Sequence, residues 1–245
     1  MLAQFRADLH VHTCLSPCAE DEMSPLAIIG HAKKKGLDVI GICDHNSTKN
    51  VKAVRQAGRD EGLAVIGGVE ICSQEEVHIL GLFDEEEGLK EMQLLIDQNL
   101  HGENNPELFG EQCLCDEHGA ILGKESKLLI GAIGLSVEKI VENIHRLGGL
   151  AIASHVDRES FSIFSQLGFV PEGLKLDALE VSPRYSIVDV KKDFPQTRDY
   201  PLVHFSDAHR LDDICTAFII FTGETPSMAE LHNALMCKDG RSILN

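Results

Sequence analysis

Short apolar runs recur along this chain, and most are followed by a stretch with helical spacing. Asp38–Cys43, Leu63–Val69, Val77–Leu82, Leu150–Ser154, Ala178–Val181, Pro201–Phe205 and Ala217–Phe221 read as strands. Leu26–Lys35, Thr48–Glu61, Glu86–Leu100, Ser136–Arg146, Ser160–Leu167 and Ile187–Asp193 read as helices, and Ser24-Pro25, Gly36 and Gly62 supply start and stop signals. Strand–helix–strand repeats favour right-handed crossovers and parallel pairing. Six or seven such units closing on themselves make a barrel related to the (β/α)8 type. The competing open, doubly wound sheet would carry a glycine-rich phosphate loop after a strand, and none is present. The expected fold class is therefore α/β, a TIM-like barrel spanning residues 1–245 as one domain. The alternation pauses at about 101–135, where Cys113–Cys115, Asp116–Gly119 and Ala120–Leu122 read as strand, turn and strand. This predicts a hairpin insertion, serving either as a lid or as a plain surface hairpin.

The residues at the ends of these apolar runs point to chemistry. His10 and His12 lie a strand-step of two apart, so they project from one face with Asp8 on the same side. Asp44 and His45 come after the next run, then Glu70, His155, and Asp207 with His209 at the same period-two spacing. In parallel barrels the C-terminal strand ends share one face, which holds the active site. Adding His78 and an acid from Glu20-Asp21-Glu22 gives nine plausible ligands, whereas one tetrahedral zinc needs three or four. Two or three ions sharing a bridging carboxylate are expected. Mixed imidazole and carboxylate donors suit zinc, manganese or iron.

Composition narrows the partners. Acidic residues outnumber basic ones 39 to 22, a formal net charge of -17, which argues against broad binding to long nucleic acid or anionic membranes. An anionic substrate stays compatible, because bound ions reverse the local sign. No apolar run approaches the roughly 20 residues that span a bilayer, and no signal-peptide pattern opens the chain, so a cytoplasmic location is expected. Eight cysteines (14, 18, 43, 72, 113, 115, 215, 237) lack paired CxxC spacing and read as free thiols.

The motifs DLHVHT at His10 and His12, CDHN at His45, GVE at Glu70, VHILG at His78, ASH at His155 and SDAH at Asp207 occur in an ordered series. This series resembles the PHP (polymerase and histidinol phosphatase) family. The resemblance implies a distorted seven-stranded β/α barrel, a trinuclear metal site and phosphoesterase activity. It implies that His10, His12, Glu70 and Asp207 hold one ion, and that Glu70 bridges to a second bound by His78 and His155. A third would use His45, His209 and a loop acid, assigned to Glu20 with Asp21 as the alternative. Asp8 and Asp44 are then expected to orient histidines. Ions at this spacing activate a water for in-line attack, with Asp207 or His209 placed to protonate the leaving group. Arg158, Arg184 and Arg210 are candidate phosphate contacts, with Lys124 and Lys127 behind them. The expected substrate is a small phosphomonoester, a nucleotide or nucleoside bisphosphate among the possibilities. Histidinol phosphate, or a non-catalytic metal-stabilised scaffold that binds a phosphorylated ligand, are the alternatives. His204 and Glu180 read as structural at least as readily as functional.

Overall fold

The computed structural model describes residues 1–244. Its main sheet has nine strands, in the order β11 (Ile243–Leu244), β10 (Ile219–Gly223), β1 (Ala3–Val11), β2 (Val39–Ile42), β3 (Ala64–Cys72), β4 (His78–Phe83), β7 (Leu150–Ala153), β8 (Ala178–Val181) and β9 (Leu202–His204). The sheet nearly closes: beyond β9, Ala208 exchanges backbone hydrogen bonds with the end of β1, His12 N to Ala208 O at 2.9 Å and Ala208 N to His10 O at 3.1 Å. The seven strands expected undercount the sheet by two. β10 attaches antiparallel to the first half of β1, pairing Ala3 with Gly223 and Ala7 with Ile219, and β11 attaches antiparallel to the far side of β10. β1 is long enough, at nine residues, to serve β10 with one half and the closure with the other.

Four of the eight strand pairs are parallel, as the alternation requires, but within this run β4 lies antiparallel to both β3 and β7. A tight turn over residues 73–77 joins β3 to β4, with Ser73 N bonded to Val77 O. A reversed strand presents its first residue at the rim where its neighbours present their last. His78 is therefore level with Cys72 and close to Glu70.

Helices cover the sheet. Pro25 starts α1 (Pro25–Lys34), while α2 (Val51–Glu61) ends at Gly62 in the left-handed region. The second helix starts later than its periodicity suggests, because Thr48 and Asn50 spend their polar groups on Gln93, Thr13 and Cys113. Ser136 caps α5 (Val137–Arg146) through Lys139 N. Period-two alternation divides the core: in β7, Ala151 and Ala153 join a cluster with helix residues Ile28, Val54 and Ile140, whereas Leu150 and Ile152 join one with Val203, Phe205 and Phe221.

Between α3 (Glu86–Asn99) and α5, the chain makes a short helix α4 (Pro106–Phe109) and a separate antiparallel pair, β5 (Cys113–Cys115) and β6 (Ile121–Lys124). This excursion is tied to the barrel rim. Asn46 Nδ2 donates to Leu129 O and Gly131 O, both at 2.7 Å, and Asn50 bonds Cys113 O and Cys115 N. No helix among the described residues is long and apolar enough to cross a membrane.

Candidate metal centre

The barrel rim gathers His10, His12, Glu70 and Asp207, whose ligand atoms lie within 4.8 Å of one another; all four residues are buried. Two further groups adjoin it, His45 with Glu70 and His78, and His12 with His45 and His209. Glu70 is the carboxylate common to two of the three groups, and it lies 3.0 Å from His45 Nδ1, 3.0 Å from His78 Nδ1 and 3.2 Å from His155 Nε2.

Hydrogen bonds fix the tautomers at the centre. His10 Nδ1 faces both oxygens of Glu180 at 3.0 Å, so it carries the proton that bonds them. Ser16 Oγ donates its one proton to Asp44 at 2.7 Å and accepts from His45 N. It must therefore also accept from His12 Nδ1, 2.9 Å away. Neutral His10 and His12 then both present bare Nε2 lone pairs, and these atoms face each other at 3.1 Å. Asp207 Oδ1 lies 3.2 and 3.1 Å from the same two nitrogens. Acceptors converging in a buried space repel one another unless a cation stands among them. The donor set fits a divalent transition metal.

The electrostatics carry the same signature. Burial disfavours a charged His10, but Glu180, Asp207 and Glu70 outweigh it and raise its pKa well above the ordinary imidazole value. For His12 burial wins, reinforced by His209, and its pKa falls. Burial alone would raise Glu70 and Asp207, yet the surrounding imidazoles hold both carboxyls well below their usual range. Without a metal the cluster must hold protons; with one it releases them. The backbone is strained at this rim too, since His155 and Asp207 occupy positive φ, 29° and 49°.

The structure brings most of the candidate residues together, though not all. His10, His12, His45, Glu70, His78, His155, Asp207 and His209 share the rim, and His209 Nδ1 donates to Asp207 O at 2.9 Å. Glu20 does not join them: its side chain is half exposed and paired with Arg210 Nε at 3.1 Å. Asp21 is displaced further and lines a separate cavity with Cys14, Glu111 and Cys113. Asp44 orients His12 through Ser16, but Asp8 orients no histidine. It accepts instead from Ser206 N and Cys215 N, while burial pushes its carboxyl up to about 6. Of the arginines, Arg158 enters the site, 2.6 Å from Asp207 Oδ2. Arg210 is occupied by Glu20, and Arg184 is exposed over a neighbouring hollow. Lys124 pairs with Glu111, and Lys127 caps the carbonyls of Asp97 and Leu100. His204 bonds Ser182 O.

Three residues carry more of the site than their sequence context suggests. Glu180 lies near the C-terminal end of β8 as Glu70 lies near that of β3, so its position held the signal. Ser16 is the relay between Asp44 and His12, and nothing in its spacing marks it. Cys18 lies in the cavity with His45, His209, Arg158 and Phe161. Crowding raises its thiol pKa, but hydrogen bonds with His209 and His45 prevail and bring it down to about 6.

Known proteins resemble this chain. The PHP domain model matches residues 8–166. A 5'-3' exoribonuclease of Haemophilus influenzae is 25% identical over 188 residues, covering 60% of this chain and 68% of the relative. A phosphoribosyl 1,2-cyclic phosphate 1,2-diphosphodiesterase of Eggerthella lenta is 31% identical over 84 residues, 32% of this chain and 31% of that one. The lesion-specific endonuclease PfuEndoQ of Pyrococcus furiosus superposes with a TM-score of 0.76 at 19% identity over 98% of this chain. That alignment takes in only 58% of the endonuclease, so the likeness is one of fold. The histidine-rich rim, the barrel that builds it and the matching domain model together make this chain a member of the PHP domain family, and a phosphoesterase of that family.

Proposed function

We propose that the protein hydrolyses phosphate esters of small molecules, nucleotides or nucleoside bisphosphates among them, at a centre of two or three divalent ions. The observation that carries this reading is the convergence of the Nε2 atoms of His10 and His12 with Asp207 Oδ1 beside the guanidinium of Arg158. His10, His12, Glu70 and Asp207 would hold one ion, with Glu70 bridging to a second held by His78 and His155. His45 and His209 would hold a third. Such ions supply Lewis-acid charge that lowers the pKa of water and neutralises phosphate oxygens. Arg158 grips a phosphate oxygen from the open side, and guanidinium contacts of this kind are short and strong. We assign to Asp207 or His209 the transfer of a proton to the leaving oxygen.

The cavity over the cluster measures about 280 Å³, room for a phosphoryl group and a small leaving group. A net charge of -17 offers no basic track for a long phosphate backbone. The exoribonuclease relative favours a nucleotide leaving group. Zinc, manganese and iron all match the donors. Purified protein loaded separately with each metal should release phosphate or a nucleotide from a panel of phosphomonoesters and nucleoside bisphosphates. His10→Ala and Asp207→Ala should each abolish turnover. Absence of hydrolysis with every metal would overturn the proposal, and a loss of thermal stability without any turnover in the wild type would favour the scaffold.

A further inference from the structure

The third group of ligands lacks the carboxylate expected of it. His12, His45 and His209 bring imidazole nitrogens within 4.8 Å of one another, and among the described residues no acid completes the group. Glu20 is turned to Arg210, and Asp21 lines another cavity.

The loop that carries them is pinned at both ends. Ser16 Oγ is fixed by His12 and Asp44, and Glu20 N donates to His209 O at 2.9 Å. Between these anchors the chain turns, Ala19 N bonding Ser16 O at 2.9 Å. The residue at the crest of that turn is Cys18. Its side chain lines the cavity beside the imidazoles of both His209 and His45.

We propose that Cys18, not Glu20, is the loop ligand of the ion held by His45 and His209, giving that position nitrogen and sulfur donors. The assignment rests on the reading of this rim as a multinuclear metal centre. On binding, the Sγ–metal bond forms as the S–H proton leaves to solvent, with no change of oxidation state. A thiolate favours zinc or iron(II) over manganese and magnesium, so one position of the centre is selective where the carboxylate-rich position is permissive.

Cobalt(II) reports sulfur ligation directly. The metal-free protein titrated with cobalt should develop a near-ultraviolet sulfur-to-cobalt charge-transfer band together with visible ligand-field absorption. Glu20→Gln should keep the band. Cys18→Ser should lose it, along with about one equivalent of bound metal, while its melting temperature before loading stays that of the wild type. Cys237 is the other exposed thiol, and Cys237→Ser should leave the band intact. A band that survives Cys18→Ser, or one lost with Glu20→Gln, overturns the assignment. Ligand-field absorption with no sulfur band also overturns it while leaving the metal centre standing. Failure to bind cobalt at all would instead sink the centre itself.

Discussion

At the scale of single residues, the centre depends on who holds each proton. Glu180 accepts a hydrogen bond from Nδ1–H of His10 and Ser16 accepts one from that of His12, so in the neutral rings the two Nε2 atoms face inward as acceptors. Removing such a partner usually costs 10–100-fold in metal affinity, because the ring no longer has a fixed tautomer. Glu180→Ala should therefore weaken binding by about that factor in a competition titration against a chelator. Glu180→Gln should lose less, since its amide oxygen accepts the same hydrogen bond. Equal affinities in all three proteins would contradict the relay. The raised pKa of His10 gives a pH dependence. Its stabilisation of the metal-free protein is full below the ordinary imidazole value of 6.5 and fades as pH rises toward its folded value. Metal displaces that proton, so affinity should climb over the same range. Calorimetry in buffers of different ionisation heat should detect proton release at neutral pH.

At the scale of elements, the close approach of β1 and β2 sets the spacing of the rim. A Cβ at Gly41 would stand 2.5 Å from Leu9 O, a backbone atom that cannot turn aside. Gly41→Ala should cost roughly 1–3 kcal/mol by chemical denaturation, as overpacking does in other cores. It should also weaken metal binding, because Leu9 precedes His10. The strand–helix rhythm and the polar residues ending each run were legible because both are local and periodic. The reversal of β4 was not: an apolar run reads the same in either direction, and only the short turn over 73–77 hints at a hairpin. The apolar neighbours of His78 therefore leave a core role open in the sequence, although its strand polarity puts it at the rim. Glu20 pairs with Arg210 instead of facing the rim for a similar reason. Counting along a motif fixes a position in the chain, but a turn anchored by Ser16 and His209 decides which side chain faces inward.

At the scale of the whole molecule, buried charge is concentrated where the ions would go. Asp8, Asp44, Glu70, Glu180 and Asp207 are all buried, in a chain whose formal charge is already -17. Ions that bind the folded state alone stabilise it by mass action, about 2.7 kcal/mol when free ligand is 100-fold above Kd. Treatment with a chelator should lower the melting temperature, and re-addition of zinc, iron or manganese should restore it. A melting temperature indifferent to chelation would mean that the cluster is held by protons alone.

The closure of the sheet through Ala208 has a consequence for how the molecule comes to exist. The first strand emerges from the ribosome almost two hundred residues before the segment that completes its pairing, and the ligands from His10 to His209 are divided across that interval. Pairings so distant in sequence are slow to form, because the chain must lose its loop entropy before the contact repays it. A nascent chain arrested before Ser206 would hold most of the imidazoles without the Asp207 carboxylate between them. Tight capture of metal and the last step of folding should thus be one event, and the metal supply at that moment would decide which ion the barrel closes around.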